Sequence, residues 1–374
     1  MIFYLTYNEA PSGIFSSQVI DVVKFLDQNF KIKIKLLAFI SVRRYFSNKK
    51  AIKLQLPGAI VLPMYPKMKN WRLNKFLLQF FCTAYKPTKI IARSVMATKL
   101  ALMMRDKHKC KMVTYDGRGA IEAEWKEYQV ITDTDLLDLI FNYEKEVILN
   151  SDFRIAVSNK LLDFWRKNFA YNQLNHVVIP CTLNSDFELV KINHKLIFEK
   201  RKELGLLETD CVFIYSGSVA GWQSFDLLHA VMEPILKNSI TNKLVFFSPA
   251  NNNIEEFKLR FPTQIICKQL TPNAVSNYLI VGDYGLLLRE NTITNQVASP
   301  LKYAEYLACG LKVIVSDNLG DYTDLTLQKN WGYIYSQIKT SLLKPDIEEK
   351  QKISEAAIQF FSKKNYAQQY QQLL

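Results

Sequence analysis

Residues 299–310 of this sequence read Ser299-Pro300-Leu301-Lys302-Tyr303-Ala304-Glu305-Tyr306-Leu307-Ala308-Cys309-Gly310. This stretch lies between two apolar runs, 284–288 and 312–316, that have the composition of buried strands. Ser299 suits an N-cap and Pro300 suits a first helical residue, so the pattern predicts a short helix that begins with free backbone N–H groups. Such a helix start binds anions, most often phosphate.

Two charged side chains in this stretch favour a ligand. Lys302 falls in the first turn, where the helix dipole favours an acid, so a cation there indicates a bound anion that outweighs the dipole. Glu305, one turn further on, is suited to accept hydrogen bonds from a sugar diol. From these residues alone, an ordinary surface helix with a good cap remains the alternative.

The pattern Ser-Pro-x-Lys-x-x-Glu-Tyr-Leu-Ala-x-Gly, followed by an apolar strand, resembles the donor site of GT-B glycosyltransferases of the family-four type. The resemblance implies that the helix start holds the diphosphate of a nucleotide sugar through the backbone N–H groups of Leu301 and Lys302. It also implies that Glu305 binds the nucleotide ribose. The donor-binding residues that it implies in this stretch are Ser299, Pro300, Leu301, Lys302 and Glu305.

Three further elements match donor-site positions of that family. Gly217 follows a strand-like run and allows close backbone approach, but Ser218 and Gln223 stand where the family has an arginine and a lysine. Arg289, at the end of another strand-like run, is our candidate to supply the missing charge, because a guanidinium suits bidentate phosphate contact. Gln269-Leu270 matches the family's contact to the nucleotide base.

Strand-like runs alternate with helical segments along the chain, which predicts parallel, doubly wound sheets. At 374 residues, with 49% hydrophobic and 22% charged residues, the chain has the size of two globular domains. With the resemblance, the expected fold class is α/β of the GT-B type, two Rossmann-like domains facing across a cleft. We place the acceptor-binding domain at 1–185 and the nucleotide-sugar domain at 186–374, whose last helix is expected to pack back on the first domain.

The first domain contains two elements that resemble acceptor-binding loops of these enzymes. One is the loop at Gly13, and the other is the Asp-x-Arg-Gly sequence at Asp116–Gly119. The resemblance implies that Asp116 contacts an acceptor hydroxyl and that Arg118 contacts a lipid pyrophosphate. A tight turn with an Asp–Arg pair is the alternative. The predicted acceptor-binding residues are Gly13, Arg93, Asp116, Arg118 and Glu122.

Positive charge is concentrated at the start of the chain. Residues 1–111 contain 21 lysines and arginines but only four acids, within a chain whose net charge is +13. This imbalance predicts a polyanionic partner. The segment 67–81 interleaves basic residues with Trp71, Phe76 and Phe80, as in a basic amphipathic helix at an anionic membrane surface. A core-facing helix is the alternative, and no nucleic-acid-binding signature is present.

Metal and disulfide chemistry find no support in the sequence. The six cysteines are scattered, and neither they nor the four histidines have metal-ligand spacing, which suits a reducing cytosol. Asp133-Thr134-Asp135 lies in an acidic, helical stretch and is interpreted as a solvated face. The first residues are interpreted as a core strand rather than a signal peptide, and no apolar segment is long enough to span a bilayer.

These observations predict a glycosyltransferase that moves a sugar from a nucleotide diphosphate to a hydroxyl of a lipid-linked or growing glycan acceptor. The expected catalytic residues are Arg289, Lys302 and Asp116, with no metal or other cofactor, and Asp116 is the candidate base if the enzyme inverts. Retention is favoured, although Val297 stands where the family has a glutamate. The expected location is the cytoplasmic face of the membrane, in surface polysaccharide synthesis. The alternatives are a GT-B sugar-nucleotide epimerase and a non-catalytic nucleic-acid-binding protein.

Overall fold

The computed structural model describes residues 1–217, 224–338 and 340–374, and it divides the chain into two units. The first unit comprises Met1–Thr182, Val297–Ser299 and Lys363–Leu374. The second comprises Leu183–Gln296 and Pro300–Ser362. Each unit is built on one parallel sheet flanked by helices, so the predicted α/β class of paired doubly wound sheets is confirmed.

The sheet of the first unit has seven strands in the order β3-β2-β1-β4-β5-β6-β7. The interior strand β1 pairs with β2 on one side and with β4 on the other, and it is buried along its whole length. The strands are β1 (Ile2–Tyr7), β2 (Ile34–Ile40), β3 (Ile60–Pro63), β4 (Lys89–Arg93), β5 (Met112–Gly117), β6 (Phe153–Ala156) and β7 (His176–Val178).

Helices cover both faces of this sheet and enclose two apolar cores. Those in the first part of the chain are α1 (Gly13–Phe15), α2 (Asp21–Phe30), α3 (Tyr45–Gln55), α4 (Lys75–Tyr85), α5 (Ser94–Asp106), α6 (Ile121–Glu127), α7 (Thr134–Asn150) and α8 (Asn159–Phe169). A π-helical turn, Ser16–Ile20, joins α1 to α2. The last helix of the chain, Ala367–Gln371, also belongs to this unit, and Tyr370 and Leu373 pack into its core.

The sheet of the second unit has six strands in the order β10-β9-β8-β11-β12-β13. The strands are β8 (Cys211–Ser216), β9 (Asn242–Phe247), β10 (Ile265–Cys267), β11 (Tyr284–Leu287), β12 (Lys312–Val315) and β13 (Gly332–Ile334). The helices are α9 (Ser185–Glu188), α10 (His194–Glu203), α11 (Phe225–Asn238), α12 (Asn252–Arg260), α13 (Val275–Leu279), α14 (Ile293–Gln296), α15 (Leu301–Ala308), α16 (Tyr322–Gln328) and α17 (Ile347–Phe361); the helix Ala367–Gln371 of the first unit is α18.

The segment 67–81 is not one amphipathic helix. Met68–Asn74 forms a 3-10 helix, and α4 begins only at Lys75. Trp71 is 2% exposed and packs edge-to-face on Tyr143, so its predicted place on an exposed apolar face is wrong. The indole belongs to the core of the first unit. Asp133 is the N-cap of α7 and accepts from the backbone N–H of Leu136, which agrees with a helical interpretation of that stretch.

Helix α15 is fixed to the sheet by a tyrosine. A Cβ atom on Gly285 of β11 would lie 2.4 Å from Cγ of Tyr306, so only glycine lets the ring pack on this strand. The Tyr306 hydroxyl accepts a hydrogen bond of 2.9 Å from the backbone N–H of Ser216 at the end of β8. Tyr306 therefore sets the position of α15 relative to two neighbouring strands.

We expect Tyr306→Phe to lower the free energy of unfolding by about 1–3 kcal/mol, because the buried N–H of Ser216 loses its acceptor. Denaturant unfolding followed by circular dichroism measures the change. Tyr333→Phe is the matched control, since the Tyr333 hydroxyl has no hydrogen bond to any described residue and only its ring packs beside Tyr284. Equal stability of the two variants would contradict the role of Tyr306.

Candidate functional site

Helix α15 begins one residue later than the sequence suggests. Pro300 occupies the N-cap position, and no side chain caps the helix. Ser299 is not the N-cap, because its hydroxyl accepts a hydrogen bond of 2.8 Å from the backbone N–H of Cys181 within the first unit. The first N–H groups of α15, including those of Leu301 and Lys302, therefore lack the side-chain acceptor that an N-cap serine provides.

Lys302 lies over the turn that follows β8. Its Nζ is 2.0 Å from the position that a Cβ on Gly217 would occupy, and Gly217 has a φ of +126°. The ammonium is buried and has no hydrogen-bond partner among the described residues. It also stands 5.1 Å from the centroid of the Tyr215 ring. A buried cation without a partner is costly unless an anion joins it.

The charges around Lys302 are tuned by burial. Burial, followed by the positive charge of Arg289, lowers the pKa of Lys302 to about 7. Burial also raises the pKa of Glu305 to about 7, against the opposing effect of Lys302. Both groups therefore titrate near neutrality, which is typical of functional sites.

Arg289 is held in place through its backbone. Its N–H donates to Oγ of Ser316 at 2.6 Å, and the Ser316 hydroxyl donates back to the carbonyl of Arg289 at 2.7 Å. The guanidinium Nη1 donates to Oδ1 of Asn295 at 3.3 Å. These bonds fix the cation at the carboxyl ends of β11 and β12, at the same edge of the sheet as the start of α15.

The other predicted donor residues are placed differently. Ser218 and Gln223 lie outside the described residues. Gln269 is exposed after β10, and Leu270 packs against the core of the second unit. Their role in binding a base stays a prediction.

In the first unit, Asp116 is the centre of a buried ionic cluster. It is 1% exposed and accepts a hydrogen bond from the Tyr4 hydroxyl. Nε of Arg118 lies 3.1 Å from its Oδ1, and Nη1 of Arg93 lies 3.8 Å from its Oδ2. Nε of Arg93 also donates to both carboxylate oxygens of Glu9, at 2.9 and 3.1 Å. The carboxylate of Asp116 is thus committed to protein partners.

Arg93 and Arg118 each have guanidinium N–H groups that no described residue accepts from. Nη1 of Arg93 and Nη1 of Arg118 are buried and have no hydrogen-bond partner within the described part of the chain. Arg93 ends β4 and Arg118 follows β5, so both lie at the carboxyl edge of the first sheet. The cluster of Asp116, Arg93 and Arg118 has the chemistry to hold an anion or a hydroxyl.

Two further acceptor-binding residues were predicted. Gly13 begins α1 with open space around it, and the Glu122 carboxylate pairs with the Lys126 ammonium at 2.6 Å.

Glu144 of α7 positions this loop, and sequence reasoning missed it. Its carboxylate is fully buried and accepts the backbone N–H groups of Ile121 and Glu122, both at 2.9 Å. It therefore caps α6 directly after the loop that carries Arg118. Burial raises its pKa to about 7, although these two bonds lower it. The available signal was an acid on the apolar stripe of α7, among Ile140, Tyr143, Val147 and Ile148.

The described residues contain neither a metal-binding cluster nor a membrane-spanning helix. None of their histidine, cysteine and acidic side chains form a group of three or more that could hold a metal ion. No helix within the described ranges has the length and apolar composition needed to cross a bilayer.

No protein-family model and no curated protein matches this sequence. Solved structures do match over essentially the whole chain. Sucrose-phosphate synthase from Thermosynechococcus elongatus has a TM-score of 0.68 at 13% identity and covers 100% of this chain and 98% of its own. A glycosyltransferase from Rickettsia africae gives 0.66 at 14% identity, with the same coverage. Anabaena HepE in complex with UDP gives 0.65 at 12% identity, covering 99% and 98%. This chain therefore has the GT-B fold of these proteins.

We expect Asp116→Asn to destabilise the protein by about 3 kcal/mol, because the largely buried guanidinium of Arg118 loses its counter-charge and that of Arg93 keeps only Glu9. Asp163→Asn is the control, since Asp163 pairs with Arg166 on the surface at 3.0 Å and should cost less than about 1 kcal/mol. Denaturant midpoints compare the two variants. Wild-type stability of Asp116→Asn would show that the cluster is not a structural element.

Proposed function

We propose that this protein is a glycosyltransferase that moves a sugar from a nucleotide diphosphate to an acceptor hydroxyl. The observation that carries the proposal is the buried ammonium of Lys302, which lies in the first turn of α15 and over Gly217 and has no hydrogen-bond partner in the described part of the chain. Helix N-terminus, ammonium and the nearby Arg289 together match the charge of a diphosphate. The fold shared with the UDP complex of HepE supports the same ligand class.

In this proposal the site assists departure of the nucleotide diphosphate. As the bond between the anomeric carbon and the β-phosphate oxygen breaks, negative charge grows on that phosphate. Lys302 and Arg289 stabilise the charge without a metal, and Glu305 accepts hydrogen bonds from the ribose diol. The acceptor oxygen forms the new bond to the anomeric carbon.

The acceptor proton needs a destination. Asp116 is buried and engaged by Tyr4, Arg93 and Arg118, which favours a positioning role over that of a base. We therefore assign the proton to the leaving phosphate, in a retaining transfer. The spare donors of Arg93 and Arg118 would bind an anionic part of the acceptor, such as the pyrophosphate of a lipid-linked glycan. An epimerase acts on a sugar nucleotide alone, so a binding site for a separate acceptor favours glycosyl transfer over epimerisation.

Lys302→Ala and Glu305→Ala should each weaken binding of UDP, GDP or ADP, whichever the wild type binds, by roughly ten- to a hundredfold, because each removes a charge-assisted contact. Calorimetric titration measures the affinity. Lys329→Ala, an exposed position of the same unit, is the control. Unchanged affinity in both site variants would exclude this donor site.

The affinity for the nucleotide should also depend on pH. Wild-type affinity should fall as the pH rises above about 7, because Lys302 then loses its proton in the free protein. Binding at pH 8 should take up protons, which buffers of different ionisation enthalpy reveal. Lys302→Arg stays charged and should lose this alkaline decline. An identical pH profile in both proteins would assign the titration to another group.

We also propose that the first unit binds anionic membrane at the cytoplasmic face, where a lipid-linked acceptor of surface polysaccharide synthesis would lie. Its basic excess supports this, and so do Phe76 and Phe80 on the outer side of α4, which are 60% and 66% exposed. Arg72 is less suited to lipid contact than the lysines around it, since its guanidinium donates to the Tyr143 hydroxyl at 3.0 Å.

Changing Lys67, Lys69 and Lys75 together to Gln should release the protein from anionic vesicles, at about 1 kcal/mol for each lost charge. Vesicle flotation at low and high salt measures binding, which should also weaken as salt screens the charges. The control changes three exposed lysines of the second unit, Lys195, Lys202 and Lys329. If the wild type does not float even at low salt, the basic region serves another anion, and nucleic acid is the next to test.

A further inference from the structure

A cavity lies at the carboxyl edge of the second sheet. It has a volume of about 560 Å³ and is formed by the segments that follow β11, β12 and β13 and by the first turns of α11. This volume falls within the range of about 300–1,000 Å³ that is usual for small-molecule sites. Its lining includes Asp226, Arg289, Glu290, Ser316, Asp317 and Tyr335.

The lining has the chemistry of a carbohydrate site. Three carboxylates, those of Asp226, Glu290 and Asp317, offer acceptors for sugar hydroxyls, and Arg289 offers donors. The ring of Tyr335 adds an apolar surface at the same cavity. The carboxylate of Asp317 is oriented by hydrogen bonds that it accepts from the hydroxyls of Ser336 and Tyr335, and no other described residue donates to it.

Arg289 joins this cavity to the donor helix. It lines the cavity, and it is also close enough to Lys302 for its charge to act on that ammonium. Its backbone is locked to Ser316, itself a lining residue, by two hydrogen bonds. In a nucleotide sugar, the sugar is attached directly to the β-phosphate. A diphosphate held by Lys302 and Arg289 therefore brings its sugar to the mouth of this cavity.

We propose that this cavity receives the sugar ring of the donor and that Asp317, with Asp226 and Glu290, determines which sugar is accepted. The inference rests on the proposed function and adds the substrate class. Among the described lining residues, three carboxylates stand against one guanidinium, so the cavity repels an acidic sugar and selects a neutral, hydroxyl-rich hexose over a uronic acid.

The experiment compares nucleotides with and without a sugar. Wild-type affinity is measured for UDP, GDP and ADP, and then for the matching glucose, galactose, mannose and glucuronic acid derivatives. We expect a neutral hexose to add affinity and glucuronic acid to reduce it. Asp317→Asn and Glu290→Gln should weaken the preferred nucleotide hexose about tenfold and leave the bare nucleotide unchanged. Asp324→Asn, an exposed acid of α16 outside the cavity, is the control.

The outcomes separate this inference from the function on which it rests. If the wild type binds no nucleotide at all, the proposed function fails and the inference fails with it. If the nucleotide binds but the two variants change neither ligand, or weaken both ligands equally, only the sugar cavity is overturned. Equal affinity of the wild type for glucuronic acid and neutral hexose derivatives would likewise overturn the selection by charge.

Discussion

The proposed donor site depends on how closely helix α15 approaches strand β11. Gly285 has no side chain, so the ring of Tyr306 packs directly on the strand, and its hydroxyl reaches the backbone of Ser216. This contact fixes the rotation of the helix. Lys302, four residues earlier and one turn towards the N-terminus, is thereby directed over Gly217. A change at Gly285 would move the ammonium without touching it.

Buried charge is compensated differently at the Asp116 cluster of the first unit and at Lys302 of the second. In the first, Asp116 is matched by Arg93 and Arg118, which makes the carboxylate a structural centre and leaves spare donors on the arginines. In the second, burial disfavours the charged form of Lys302, and the ammonium has no hydrogen-bond partner among the described residues. A buried carboxylate that is paired with two arginines favours a rigid scaffold, whereas a buried cation with no partner among the described residues favours a ligand.

The sequence predicted the alternation of strands and helices because parallel strands are continuous apolar runs, as in β8, β9 and β11. It did not predict β2 or β3. Alternating lysines lead into β2 and interrupt the continuous apolar pattern of a buried strand. β3 is a four-residue strand at the sheet edge, which is too short to give a clear pattern. The donor helix was recognised from its motif, but Ser299 was misplaced, since nothing in the sequence shows that its hydroxyl bonds to Cys181.

The first unit is built from the two ends of this sequence, and this affects the order in which the two units can fold during synthesis. Tyr370 and Leu373 complete a core that starts with Ile2 and Tyr4, and the Leu373 carbonyl accepts from the Lys89 ammonium. On the ribosome the first unit must wait for residues 363–374 before this core closes. The second unit occupies a nearly continuous part of the chain and is finished earlier. A tag or truncation after Ser362 would therefore expose the apolar face of the unit that was made first.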